Sequence, residues 1–156
     1  MNNLFKKLAF ISVCATAANF AQATDPISST IDVTADVITN CTIKGGSLAV
    51  TGYDSIVTHK TDALDQKTTF KIACTKDSAV TVALAKDALK TENGTELEYN
   101  LFQDESRSEP WDAASNKRTV RGSGVEETET IYVRVPAGQN KPAGTYTAAI
   151  TATVEF

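Results

Sequence analysis

The stretch Gly144-Thr145-Tyr146-Thr147-Ala148-Ala149-Ile150-Thr151-Ala152-Thr153-Val154-Glu155-Phe156 decides the fold of this chain. At period two it separates into two faces. Tyr146, Ala148, Ile150, Ala152, Val154 and Phe156 fall on one, and Thr147, Ala149, Thr151, Thr153 and Glu155 on the other. Alternation of this kind, rich in β-branched residues and launched from a Pro142–Gly144 turn, predicts a half-buried strand. Phe156 is expected to face the core. A sheet that closes on such a strand presents a bare edge, which is a template for pairing with something else. What lies beside that strand is the question the sequence poses.

Upstream, short alternating segments recur. Thr68, Phe70, Ile72 and Cys74 define one strand, and Val80, Val82 and Leu84 the strand that returns after Lys76-Asp77-Ser78. Asn93-Gly94 marks a tight turn, and Leu97, Tyr99 and Leu101 alternate beyond it. Lys117 to Arg121 reads as a short edge strand broken by Gly122 and Gly124, and Ile131, Val133 and Val135 as a longer one. Ser47 to Tyr53 reads as a short strand, and Ile38, Cys41 and Ile43 as the strand before the Gly45-Gly46 turn. No amphipathic helical stretch is evident past the first residues. The prediction is an all-β, single-domain sandwich.

The N-terminus reads as an address. Lys6 and Lys7 precede an apolar run from Leu8 to Phe20, too short for a membrane span, and Ala21-Gln22-Ala23 supplies an A-x-A cleavage site. Residues 1–23 are therefore expected to be a signal peptide. A lipid-anchored alternative at Cys14 fits less well, because Val13 precedes it and the apolar run would be cut. Without the leader, 13 basic side chains face 19 acidic ones, a net charge of −6. That balance argues against nucleic acid and against an anionic membrane as partners.

Export also decides the cysteines. Cys41 and Cys74 remain, an even pair in an oxidising compartment, and are expected to form a disulfide. Closing a loop of about 34 residues contributes about 3–4 kcal/mol on the chain-entropy estimate. About 133 mature residues suffice for one core.

Catalytic chemistry is not expected. His59 is the single histidine, in a polar loop where it reads as solvated, and no free thiol remains to pair with it. The Glu126-Glu127/Glu129 and Asp104-Glu105 clusters read as solvated faces rather than an acid–base pair. No phosphate loop, EF-hand, HExxH or Cys/His metal motif occurs, so neither metal nor cofactor is expected. Asn40-Cys41-Thr42 and Asn93-Gly94-Thr95 are formal glycosylation sequons, better read as cysteine context and as turn. Trp111 reads as a core anchor of its loop rather than a sugar platform.

One segment stands apart. Ile31, Val33, Ala35 and Val37 alternate with Thr30, Asp32, Thr34 and Asp36, ahead of the first cysteine and outside the loop the disulfide closes. Residues 24–37 thus form a candidate strand separate from the domain over 38–156.

Leu97-Glu98-Tyr99-Asn100-Leu101-Phe102-Gln103-Asp104 followed by Trp111 resembles the YNLY-x-D…W pattern of the spore coat U-like family. Ile131-Tyr132-Val133-Arg134-Val135-Pro136-Ala137-Gly138-Gln139, with Gly144-Thr145-Tyr146 and the alternating terminus, is similar to that family's ending. The chain departs from it at Ala148, at Ala152, and at Val50-Thr51-Gly52 in place of a Phe-Gly motif. Many members are subunits of archaic (Csu-type) chaperone–usher pili of Gram-negative bacteria. The resemblance implies an incomplete immunoglobulin-like sandwich lacking its last strand. It also implies donor-strand complementation, a form of β-augmentation. Ile31, Val33, Ala35 and Val37 would be the donor, and Tyr146, Ile150, Val154 and Phe156 the acceptor. Implied partners are a periplasmic chaperone, an outer-membrane usher and other pilin subunits. The implied location is the cell surface, reached through the periplasm, and the implied role is adhesion and biofilm formation. The alternative is a stand-alone secreted sandwich complemented by its own N-terminal strand.

Overall fold

A computed structural model describes residues 26–156. The expected leader and its cleavage site lie outside these residues. The chain divides after Ala35 into two units. In the first, residues 26–35 form no strand, and Ile27, Ile31 and Val33 are exposed. The alternation of 30–37 is thus not realised as a ladder within the chain, because a strand is stable only with a partner beside it.

The second unit is all-β apart from one 3₁₀ turn at Thr58–Lys60. Its strands among the described residues are β1 (Cys41–Lys44), β2 (Leu64–Cys74), β3 (Ala79–Lys86), β4 (Leu89–Lys90), β5 (Glu96–Leu97), β6 (Asn100–Phe102), β7 (Arg118–Arg121), β8 (Glu126–Val135) and β9 (Ile150–Glu155). All pairings are antiparallel. One sheet runs β1-β2-β8-β6, a second β7-β3-β9, and β4 pairs with β5 as a small ribbon.

The apolar faces of these sheets meet in one core. β2 contributes Phe70 and Ile72, β3 Val80, Val82 and Leu84, and β8 Ile131, Val133 and Val135. Trp111 is buried among them at a tilt to Phe70, and its indole Nε1–H donates to the Val82 carbonyl at 3.0 Å. The loop it anchors covers the outer side of β6, where Trp111 N–H donates to Leu101 O and Gln103 N–H to Glu109 O.

Some sequence expectations are corrected. Leu97, Tyr99 and Leu101 are all buried, yet they do not share a strand: Leu97 pairs in β5 and Leu101 in β6. Ser47–Tyr53 keeps its alternation, with Leu48, Val50 and Tyr53 half-buried, but forms no ladder. Ile38 is exposed and outside β1. His59 is 8 % exposed rather than solvated. It stacks on Tyr53 at 5.1 Å, and its Nδ1 lies 3.1 Å from Asp62 O. Phe156 lies past the last ladder pair, Thr81–Glu155, where β3 offers nothing to cover it, and is 72 % exposed.

Cys41 and Cys74 are bonded, and they are also directly paired residues of β1 and β2. The disulfide therefore fixes the β1 register, in which Ile43 faces Ile72 across the pair. Glu126 reinforces the same edge from β8, accepting from Lys44 at 2.5 Å and Lys71 at 2.7 Å. Those bonds, that from Lys44 foremost, draw its carboxyl down to about 2.

Two expected outcomes follow from this edge. Denatured, unreduced exported protein shows no free thiol on labelling; two labelled cysteines would contradict the bridge. Glu126 ionises more readily when folded, so its stabilisation is present above the ordinary carboxylate range and is lost as pH falls toward about 2. Urea unfolding of wild type and Glu126→Gln should differ at pH 7, converge in acid, and differ less in high salt.

Candidate functional site

The second sheet ends at β9, whose only ladder is with β3. In an antiparallel strand alternate N–H and C=O groups point away from the existing partner, so half the backbone groups of β9 face outward unpaired. The segment before β9 prolongs this edge. Thr147 exchanges both backbone bonds with Lys90, and Asp87 N–H donates to Ala149 O. Between the Lys86–Ile150 and Lys90–Thr147 pairs the chain has one more residue on the Lys86–Lys90 side. That extra residue is a bulge in the partner, and the alternation from Tyr146 to Val154 continues unbroken.

Beside this edge lies a trough of about 480 Å³. One wall is Tyr146, Ala148, Ile150 and Ala152; the opposite wall is Ile43, Leu48 and Val50. Phe70, Leu89, Tyr99 and Ile131 form the floor. Ile43 on β1 and Ile150 and Ala152 on β9 belong to different sheets, so the trough opens between the two sheets toward the core. Tyr99 closes its floor with the hydroxyl turned away, donating to Asp87 O at 2.9 Å. Burial, and then the nearby Asp87 charge, push the Tyr99 phenol up to about 12, so it stays neutral.

Gly46 shapes the second wall. A Cβ there would sit 1.9 Å from the Thr69 carbonyl oxygen, so only glycine lets the chain leaving β1 press against β2. Thr68 Oγ1 then donates to Ser47 O at 2.8 Å, holding Leu48 and Val50 along the trough. Neither wall carries a charged side chain.

Of the residues singled out on the last strand, Tyr146 and Ile150 line the trough. Val154 is half-buried against the core opposite Val82, and Phe156 is exposed. Ile31, Val33, Ala35 and Val37 are all exposed. Leu48, Val50, Phe70 and Ile131 were not singled out as site residues. The period-two pattern of Ser47–Tyr53 was the signal for the first two; nothing local distinguishes the floor from the rest of the core.

The acidic clusters are organised differently. Asp104 accepts from the Ser106 hydroxyl and from the Glu109 and Ser108 amides, and these bonds, the Ser106 bond first, hold its carboxyl well below the usual carboxylate range. A carboxylate so held serves as a loop clasp and is a poor proton donor. Glu129, mostly buried, faces Arg118 at 3.3 Å.

Residues 27–153 match the Spore Coat Protein U domain, and the chain belongs to that family. Among solved structures it resembles a chain of the "CsuC-CsuE chaperone-tip adhesion subunit pre-assembly complex" from archaic chaperone–usher Csu pili of Acinetobacter baumannii. The TM-score is 0.53 at 20 % identity, over 77 % of this chain and 40 % of that one. This chain thus spans about two fifths of the length of its structural relative. The sequence matches none of the curated proteins compared with it.

The trough's apolar walls, among them Ile43, Leu48, Val50 and Ile150, are only half-buried, so the mature chain is expected to brighten a polarity-sensitive dye. Ala148 is exposed on its rim. Ala148→Trp should fill the trough and reduce dye fluorescence while leaving the far-UV circular dichroism unchanged; undiminished dye binding would place the exposed apolar surface elsewhere.

Proposed function

We propose that this chain is a structural, non-catalytic subunit of a surface pilus, built through the chaperone–usher pathway by donor-strand complementation. The observation that carries this reading is the trough beside β9: an unpaired strand edge flanked by half-buried apolar walls that lead to the core. A single extended strand with one apolar face supplies what is missing, backbone partners along β9 and side chains for the floor. Family membership and the fold shared with a chain of a pilus chaperone–subunit complex support it.

On this reading a periplasmic chaperone first lends the strand, an outer-membrane usher presents the subunit, and another pilin's N-terminal segment then takes the strand's place. The fibre stands on the cell surface of a Gram-negative bacterium and serves adhesion and biofilm formation. Ile31, Val33 and Val37 each contribute roughly 1.5–3 kcal/mol when buried in a neighbour. Each ladder hydrogen bond adds about 0.5–1.5 kcal/mol net. Leaving the trough requires opening the neighbour's core, so such a joint is slow to come apart.

The test is complementation. The mature chain alone should aggregate or be degraded, whereas a copy of Thr30–Val37 fused through a flexible linker after Phe156 should give a soluble monomer. A stable, unfused monomer would instead favour a stand-alone secreted sandwich that complements itself.

Plug and socket are separable by mutation. Val33→Asp puts an unpaired charge into a neighbour's trough, which costs several kcal/mol. It should block fibres while leaving folding, the disulfide and chaperone capture intact. Ile150→Asp damages the trough wall itself and should abolish chaperone capture. Chaperone pull-down and a fibre assay, run together, read the difference. Equal loss of capture in both variants would remove the division of roles.

A further inference from the structure

We infer that the Thr75 hydroxyl is a clamp that fixes where the alternating N-terminal segment leaves its own domain, and so sets the stiffness of the joint between consecutive subunits. The joint rests on the strand-uptake reading above; the clamp stands on the geometry of the chain itself.

β1 and β2 pair Cys41 with Cys74 at a Cα–Cα separation of 4.1 Å, the close spacing of a pair without ladder bonds of its own. One step outward, Asn40 and Thr75 should therefore exchange two backbone bonds. One is made: the Thr75 N–H donates to Asn40 O at 2.9 Å. The acceptor for the other is taken. Thr75 O receives the Ser78 N–H at 3.1 Å and the Ser78 hydroxyl at 2.6 Å, closing the turn through Asp77. Gly122 holds that turn in place, with Asp77 N–H donating to Gly122 O at 2.7 Å and Gly122 N–H to Ser78 O at 2.8 Å. It packs so closely that a Cβ there would fall 2.2 Å from Thr75 O. The carbonyl is therefore not free to turn back toward Asn40.

The side chain takes over the carbonyl's role. Thr75 Oγ1 accepts the Asn40 N–H at 3.0 Å. Its own proton has Ile38 O and Asn40 O each at 3.3 Å. Asn40 O already holds the Thr75 amide, so Ile38 O is the acceptor that gains by it. One hydroxyl thus extends the hold on the chain from Cys41 back to Ile38. Ile38 is 77 % exposed, so hydrogen bonds rather than packing fix this stretch.

The position matters because of what adjoins it. The alternating segment ends at Val37, and Ile38 is the next residue. No free residue separates the last side chain offered to a neighbour from the first residue held by the chain's own domain. Without the hydroxyl, the Asn40 amide and the Ile38 carbonyl lose these partners, and Ile38 and Thr39 become a linker. Two extended residues reach about 7 Å, enough for adjacent domains to pivot.

Two variants test this: Thr75→Val keeps the shape and removes the hydroxyl, and Thr75→Ser keeps the hydroxyl. The first readout is amide exchange at Asn40 in the mature chain, in whichever form the exporting host yields it. Thr75→Val should speed that exchange at least about fivefold, and Thr75→Ser should leave it near wild type. Equal exchange in all three would overturn the clamp.

The second readout is the persistence length of fibres in electron micrographs. Thr75→Val should lower it to about half the wild-type value or less, since a flexible linker then interrupts every joint, and Thr75→Ser should match wild type. Faster exchange with unchanged fibre stiffness overturns the joint and leaves the clamp. A wild-type chain that forms no fibres overturns the pilus reading and the joint with it, while the exchange comparison still decides the clamp. Should Thr75→Val fail to accumulate, Thr75→Ala removes the same hydroxyl and is held to the same outcomes.

Discussion

The constraint on which this structure depends is the satisfaction of backbone hydrogen bonds along one strand edge. β9 is tied to β3 on one side and to nothing on the other, and its free edge sits over the core rather than over solvent. An open edge is ordinarily protected by brevity, by charge or by a covering loop. β6 illustrates the last: it is three residues long and the segment through Trp111 bonds along it. β7 illustrates the second, with Arg118 and Arg121 on a four-residue strand. From Thr147 to Val154 β9 has neither protection. The half-buried walls, Ile43, Leu48, Val50 and Ile150 among them, turn this from a backbone problem into a packing one as well, because the same missing strand leaves both unsatisfied.

The pieces that shape the trough are local and covalent. The disulfide joins two residues already paired across β1 and β2, so it holds register rather than merely shortening a loop. Ile43 thereby stays on the trough side. Gly46 then allows the chain to hug β2, and Leu48 and Val50 follow as a wall with no ladder of their own. These elements fix one wall before any partner arrives.

Much of this was legible in the sequence, and for identifiable reasons. Period-two alternation found β2, β3, β8 and β9, because each has one face on the core and one in water. The cysteine pair was legible from the expected leader and the even count that its removal leaves. The Leu97–Leu101 run misled, since buried alternation is the same whether a strand continues or passes from one sheet to another at Tyr99. His59 misled for a related reason: polar neighbours suggested solvent, while the ring is covered by Tyr53 from an adjacent loop. Half of the site was legible, namely the strand with the free edge. The floor was not, because Phe70 or Ile131 becomes a site residue only through the absence of a strand above it. Phe156 followed the pattern of its strand in sequence but lies beyond the last partner that could cover it.

The guarded edge at β7 has a consequence for assembly geometry. On the proposed reading a unit joins its neighbours through the β9 edge and the segment 30–37, which makes two connections. On the proposed reading each addition consumes one open socket and exposes another. Growth is therefore confined to one dimension, and neither branching nor sheet-like lateral stacking can start from the second sheet. On that reading the polymer is a thread rather than a mesh.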